Sequence, residues 1–172
     1  MPTRQVGTFD PADRARRDAQ SGTVLIDEGL ELLTEAESLE LLARADVGRV
    51  GVTIGALPAI FPVNYRMIDG AVVFRTGAGS KLRAATSGAV VAFEIDGYDR
   101  DARSGWSVLV VGRAEVVRDP ELAEKVLASG LEPFAGGDRS AIVRIEPGFV
   151  SGRRIALHGQ ATPSAERRCH GH

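Results

Sequence analysis

The sequence predicts a mainly β domain, an antiparallel barrel closed or partly closed on itself, with three short helices at its margins. Three observations predict it. From Val47 onward the apolar residues recur with a period of two, in runs of about five to twelve residues. The runs are separated by tight-turn signals, Asp69-Gly70 above all, which leave no room for the crossover helices a parallel sheet needs. Helix signatures occur at only three places. Short strands joined this way escape open edges by closing into a barrel.

In chain order, residues 1–23 are polar, with Arg14, Arg16 and Arg17 set among Asp10, Asp13 and Asp18, and read as a weakly ordered arm. Val24–Ile26 is a candidate short strand, and Leu32 and Leu33 lead into a capping box, Thr34-Glu35-Ala36-Glu37. The helix that follows runs to about Ala45 and carries Leu39, Leu42 and Ala43 as its apolar stripe. Arg49–Ile54 is the first barrel strand, Gly55 and Pro58 mark its turn, and Ala59–Ile68 is the second strand, with Pro62 inside it. Asp69-Gly70 turns the chain into a third strand, Ala71–Thr76. A stub of helix, Leu82–Ala85, precedes a fourth, Val90–Ile95.

Gly97–Ser104 reads as a polar loop before a long fifth strand, Trp106–Val117. Asp119-Pro120 places a cap and a proline at the start of a helix reaching about Ala128. Ser140–Ile145 is the sixth strand, and Pro147-Gly148 is expected to break it before a last β segment, Phe149–Leu157. Residues 159–172 read as a tail, which leaves 24–158 as one domain.

Composition excludes several classes of function. A net charge of −2 and 26% charged residues describe an ordinary globular chain with no dominant basic face, so no nucleic-acid partner is expected. The lone Cys169 cannot form an internal disulfide, the first residues lack a signal-peptide core, and no apolar run is long enough for a bilayer. A cytoplasmic protein without a membrane partner is the expectation. All three histidines, His158, His170 and His172, lie near the C-terminus, so a histidine-based triad or metal centre in the body is not expected. Hard chemistry in such a chain would belong to a bound organic cofactor.

The most informative stretch is Phe74–Ala85, where a strand gives way to Gly77-Ala78-Gly79 and then to Ser80-Lys81 at the start of a helix. Small residues let backbone approach a ligand, a helix start leaves N–H groups unpartnered, and Arg75, Thr76, Ser80 and Lys81 supply donors. Between Phe61 and Val90 four bases (Arg66, Arg75, Lys81, Arg83) face one acid (Asp69), a local balance of +3. An anion such as a phosphate suits that turn; an ordinary solvated corner is the plainer alternative. Neither nucleotide motif fits: the third glycine of GxGxxG is missing, and Lys81 is followed by Leu82 where a P-loop needs Ser or Thr.

Pro62-Val63-Asn64-Tyr65 is the second candidate, a proline-interrupted strand whose free amide and carbonyl groups could meet the polar rim of a heterocycle. Its alternative is an edge strand that proline protects from aggregation. Trp106-Ser107 is the third, carrying the chain's single tryptophan, a residue type found more often in cores and interfaces than over cofactors. Glu94 and Asp96 read as solvated or capping acids, and Arg153-Arg154 as surface charge or a second anion site.

Taken together, these residues resemble the pyridoxamine 5′-phosphate oxidase-like family of flavin-binding split barrels, in its small bacterial branch that includes the nitroimidazole-resistance type. The likeness spans Leu33–Leu157. It rests on Val47-Gly48-Arg49-Val50, Pro62–Tyr65, Phe74-Arg75-Thr76 with Ser80-Lys81, Val91-Ala92-Phe93-Glu94, and Gly105–Val108 leading into Gly112-Arg113-Ala114. The resemblance implies an antiparallel, Greek-key-like split barrel that binds FMN at the interface of a homodimer and acts as an oxidoreductase on a small molecule. It assigns Arg75, Thr76, Ser80 and Lys81 to the phosphate, Pro62, Val63, Asn64 and Tyr65 to the strand along the flavin ring, and Trp106 and Ser107 to the ring's polar edge. It names no catalytic side chain. Two departures stand out: Ser151–Ile155 lacks the arginine-x-histidine of the oxidase proper, and Leu82 replaces the second basic residue of the turn. The likeness therefore carries flavin binding further than it carries that enzyme's substrate. A deazaflavin coenzyme in place of FMN, or a non-catalytic flavin or haem carrier, remain the alternatives.

Overall fold

The computed structural model describes residues 25–27, 30–77, 81–134 and 141–155, with side chains for 30–77, 82–134 and 141–155. The expected arm and tail, with Cys169 and the three histidines, lie outside the described residues.

Among the described residues, eight strands and three helices follow in the order β1 (Leu25–Asp27), β2 (Leu30–Leu33), α1 (Glu35–Arg44), β3 (Val47–Ile54), β4 (Leu57–Ile68), β5 (Ala71–Thr76), α2 (Lys81–Thr86), β6 (Val90–Asp99), β7 (Ser104–Val116), α3 (Pro120–Ala128) and β8 (Ala141–Ile155). Every pairing is antiparallel, and the ring β3-β4-β5-β8-β7-β6 closes on itself when β6 returns to β3. Consecutive strands β3 to β6 lie in the spatial order β6-β3-β4-β5, which is a Greek key. The predicted antiparallel barrel is the fold.

Alternation fills it. Val50, Tyr65, Phe74, Phe93, Val110 and Ile145 are fully buried inside the ring, each on the inward parity of its strand. A second, smaller cluster of Val73, Val126, Leu131 and Ile142 lies where α3 covers the outer face of β5 and β8. The Asp69-Gly70 turn forms as expected, both residues in the left-handed region at φ 50° and 76°. The capping box forms too: the Glu37 amide donates to Thr34 Oγ1 at 3.2 Å and the Thr34 amide to Glu37 Oε2 at 2.8 Å. That amide bond holds the Glu37 carboxyl below the ordinary glutamate range.

Five expectations need correction. Leu30–Leu33 is a strand, not a lead-in, because β8 extends far enough to pair with it. The buried stripe of α1 is Ser38 and Leu42; Leu39 and Ala43 face outward, since the helix sits on Gly152, where a Cβ would lie 2.3 Å from Ser38 Oγ. The turn after β3 is Gly55-Ala56, both left-handed, so Pro58 falls inside β4. Residues 97–99 and Ser104 belong to strands rather than to a loop; β6 and β7 stay paired out to Asp99↔Ser104. Finally, β8 runs unbroken through Pro147-Gly148. Its pairing with β5 ends at Ile145, and a register shift against β7 between Val111 and Gly112 absorbs the extra residue as a bulge.

Candidate functional site

Strand β4 is twice as long as its partner β5. It pairs with β3 from Leu57 to Asn64 but with β5 only from Tyr65 to Ile68. From Leu57 to Asn64 its second edge has no strand partner among the described residues, and alternate peptide groups along that edge point away from β3. Pro62 sits on this half-paired stretch, where a missing N–H is tolerated. Alternation then divides the expected ring-binding run. Pro62 is exposed and Asn64 half-buried on the outer face, whereas Val63 and Tyr65 point into the barrel. Their backbone groups are not the open ones: the Tyr65 amide donates to the Asp46 carbonyl at 3.0 Å and, by alternation, Val63 also faces β3, so the free edge presents the amides of Ile60 and Asn64 and the carbonyls of Pro58, Ile60 and Pro62.

Tyr65 is committed to the core. Its hydroxyl donates to the Leu42 carbonyl of α1 at 2.6 Å, and its ring meets Phe93 edge-on, centroids 4.8 Å apart at 69°. Burial, reinforced by the charge of Asp46, pushes the phenol well above its ordinary pKa. Tyr65→Phe leaves the Leu42 carbonyl without its donor and is expected to lower stability by about 1–3 kcal/mol, read from urea unfolding. Because folding raises this pKa, Tyr65 favours the folded state fully below the unfolded value near ~10, and that contribution fades as pH climbs above it. The loss of stability above about pH 10 should therefore be shallower in Tyr65→Phe than in the wild type.

Where β4 and β5 part, two outer-face side chains hold the segment that follows α3. Asn64 Nδ2 donates to the Glu132 carbonyl at 3.1 Å, and Arg75 Nη1 to the Leu131 carbonyl at 3.1 Å. Thr76 ends β5 opposite Ala141 and is buried. Ser80, with Ala78 and Gly79, lies outside the described residues; Lys81 is the first residue of α2, its side chain likewise outside. The fold thus brings Pro62–Tyr65, Arg75, Thr76 and the start of α2 to one end of the β4–β5 fork. The tie to Leu131 and Glu132 was not legible in the sequence, the partners being 56 and 68 residues apart; a Pro-Phe pair at 133–134 in a Gly-rich stretch was the available hint.

Trp106 and Ser107 are elsewhere. In the sheet, β3 and β6 stand between β4 and β7. The two residues also point opposite ways: Trp106 inward over Gly97, where a Cβ would come within 2.6 Å of the indole, and Ser107 outward between Asp96 and Arg153. On that same outer face Arg49 Nη1 bridges Glu94, at 3.2 Å, and Asp96. Asp96 chiefly, then Glu94, holds the guanidinium above its ordinary pKa. The two acids are therefore partners of a cation. Beside them Ile60, Gly51, Ala92 and Val111 line up across β4, β3, β6 and β7, with Ile60 70% and Val90 67% exposed. This is a flat apolar band of the kind that marks an interface.

A cleft of about 520 Å³ opens between the Ser87-Gly88 turn, the end of β7 and the start of α3. Arg118 and Arg144 line it together with Glu115 and Asp119, so its charges cancel, and it includes none of the residues picked out in the sequence. Among the described residues no group of three or more His, Cys, Asp or Glu side chains could hold a metal, and no helix is long and apolar enough to cross a membrane.

Comparison with known proteins agrees with the fold. The family model described as pyridoxamine 5′-phosphate oxidase matches residues 34–154. An uncharacterized protein of Mycobacterium tuberculosis, Rv0080, is 42% identical over 128 residues, covering 72% of this chain and 84% of its own. The solved structure of an FAD-binding protein from Mycobacterium smegmatis is similar at 32% identity and a TM-score of 0.63, covering 73% of this chain and 98% of that one. A conserved protein of unknown function from Corynebacterium diphtheriae is similar at 33% identity, with a TM-score of 0.63 and coverage of 74% and 99%.

Proposed function

The chain belongs to the pyridoxamine 5′-phosphate oxidase family, and from that premise we propose that it binds a flavin nucleotide along the free edge of β4 and serves as an oxidoreductase for a small molecule. The observation that carries this reading is the half-paired β4. The amides of Ile60 and Asn64 and the carbonyls of Pro58, Ile60 and Pro62, turned away from β3, offer the donors and acceptors that the pyrimidine rim of a flavin needs. A bound flavin would supply the redox chemistry. The chain's own part is to fix and orient. Thr76, Ser80 and Lys81 hold the phosphate, the Pro62 carbonyl and the Asn64 amide bond the ring's rim, and the barrel face beneath excludes water from one side.

Ser107, on the outer face, reaches such a ring only from a second copy, because β7 lies three strands away from β4 in the same chain; the Trp106 side chain, turned into its own barrel, does not. The proposal therefore includes a two-fold homodimer seated on the apolar band of Ile60, Gly51, Ala92 and Val111. Sedimentation should report twice the 18.2 kDa chain mass.

FMN is the first reading, its terminal phosphate suited to the donors of Thr76, Ser80 and Lys81. FAD is the second reading, favoured by the FAD-binding Mycobacterium smegmatis relative at 32% identity. The test is mass spectrometry and absorption of whatever denaturation releases from the purified protein. FMN or FAD supports the proposal, whereas a deazaflavin coenzyme, a haem or no chromophore after incubation with either flavin overturns it. Lys81→Ala and Ser80→Ala should each weaken flavin binding by about 1–3 kcal/mol if the phosphate is held by charge-assisted bonds. Unchanged dissociation constants in both variants would remove the turn from the site.

A further inference from the structure

Asn64 and Arg75 flank the point where β4 and β5 separate, and each spends a donor on a neighbouring chain segment. They grip two consecutive carbonyls, those of Glu132 and Leu131, at 3.1 Å each. The segment so held is anchored from its other side as well. Leu131 is 2% exposed, buried in the cluster beneath α3, and Gly130 in the left-handed region at φ 68° turns the chain off the end of that helix. Pro133 fixes the next backbone angle, and Phe134 follows with half its surface, 51%, open to solvent. Its Cα is at most about 8 Å along the chain from that of Glu132. An aromatic ring left exposed on an anchored segment beside an unpartnered strand edge is placed to meet a planar ligand rather than to fill a core.

From this arrangement we infer that Leu131–Phe134 forms a wall of the flavin groove, with Asn64 and Arg75 as positioning residues that hold it and Phe134 as the side chain that meets the bound ring. The inference rests on the flavin reading above and refines it. The Asn64 side chain acts through the segment it carries, not by touching the cofactor. The chemistry is economical: an amide and a guanidinium each bind a carbonyl oxygen, so the segment is held whatever its own side chains are.

Coupling between the two positions tests the inference. Asn64→Asp keeps the shape and removes the donor; Phe134→Ala removes the ring. Both residues lie at the surface, so the fold should survive, as far-UV circular dichroism would verify. The dissociation constant for FMN is read by titration, and the openness of the site by iodide quenching of the bound flavin's fluorescence. Asn64→Asp is expected to weaken binding roughly three- to tenfold, Phe134→Ala roughly five- to tenfold, and each should make the flavin more accessible to iodide. In the Phe134→Ala background, Asn64→Asp should add less than about twofold, because it then releases a segment with nothing left to present. Hydrogen exchange in unliganded protein should show the amides of 131–134 opening faster in Asn64→Asp.

Additive losses would show that Asn64 meets the cofactor itself, and unchanged affinity and quenching would show that the segment is no wall. Either result overturns the inference while leaving flavin binding intact. A wild-type protein that takes up no flavin instead fails the earlier proposal. Exchange at 131–134 unaffected by Asn64→Asp would refute the positioning role with or without a ligand.

Discussion

Gly112→Ala is expected to lose about 3 kcal/mol or more of stability, enough to bring unfolded protein into view at room temperature. A Cβ at position 112 would lie 2.0 Å from the Glu146 carbonyl oxygen and 2.9 Å from its carbon. The obstacle is backbone, at the bulge where β7 and β8 shift register, and a backbone in a closed barrel has little room to yield. Its neighbour across the same bulge provides the control. At Gly148 the nearest atom to a new Cβ is the Val111 oxygen at 3.5 Å, an ordinary contact, so Gly148→Ala should stay within about 0.5 kcal/mol. Urea unfolding midpoints of the two variants decide the matter. Equal midpoints would mean that the two strands are not pressed together as described.

Phe93→Ala should be comparably severe, at about 3–5 kcal/mol. Its ring is fully buried at the centre of the barrel and meets Tyr65 edge-on. It also occupies the space a side chain at position 48 would need, for a Cβ on Gly48 would fall 2.3 Å from Phe93 Cζ. Ring and glycine are thus one packing unit. Gly48→Ala alone should be destabilising, yet in a Phe93→Ala background it should lose much of that penalty, because the clash has gone and the new methyl enters the cavity. A double-mutant cycle should give a coupling of roughly 0.5–3 kcal/mol. A coupling near zero would place the ring elsewhere.

The features that were legible in the sequence are those that depend on neighbours along the chain. The capping box at Thr34 and Glu37, the Asp69-Gly70 turn and the Asp119-Pro120 helix start form as expected, because each is settled within four residues. The features that misled depend on what lies across the sheet. Pro147-Gly148 looks like a terminator until β7 supplies a strand that can shift register around it. Leu39 and Ala43 look as apolar as Leu42, and only the position of β8 under α1 determines that Ser38 faces inward instead.

The candidate site shows the same division. Pro62 signalled a strand edge without a strand partner, as β4 has among the described residues. Alternation alone could not say that Tyr65 would be claimed by the Leu42 carbonyl. Nor could a contiguous pair such as Trp106-Ser107 reveal that its members serve opposite faces of β7, one over Gly97 and one beside Arg153. Asn64 was singled out on the strand along the ring and Arg75 as a donor at the phosphate turn; that both hold the segment from Leu131 became visible only with that segment in place.

The pairing of Leu30–Leu33 with Gly152–Ile155 ties together stretches about 120 residues apart in the chain. During synthesis β2 can find its partner only after almost everything between them has left the ribosome. The barrel ring closes through that same strand, β8, so ring closure and the seating of α1 over Gly152 both wait on the last strand of the described chain. The Leu42 carbonyl that receives the Tyr65 hydroxyl therefore belongs to a helix made early and seated by a strand made last.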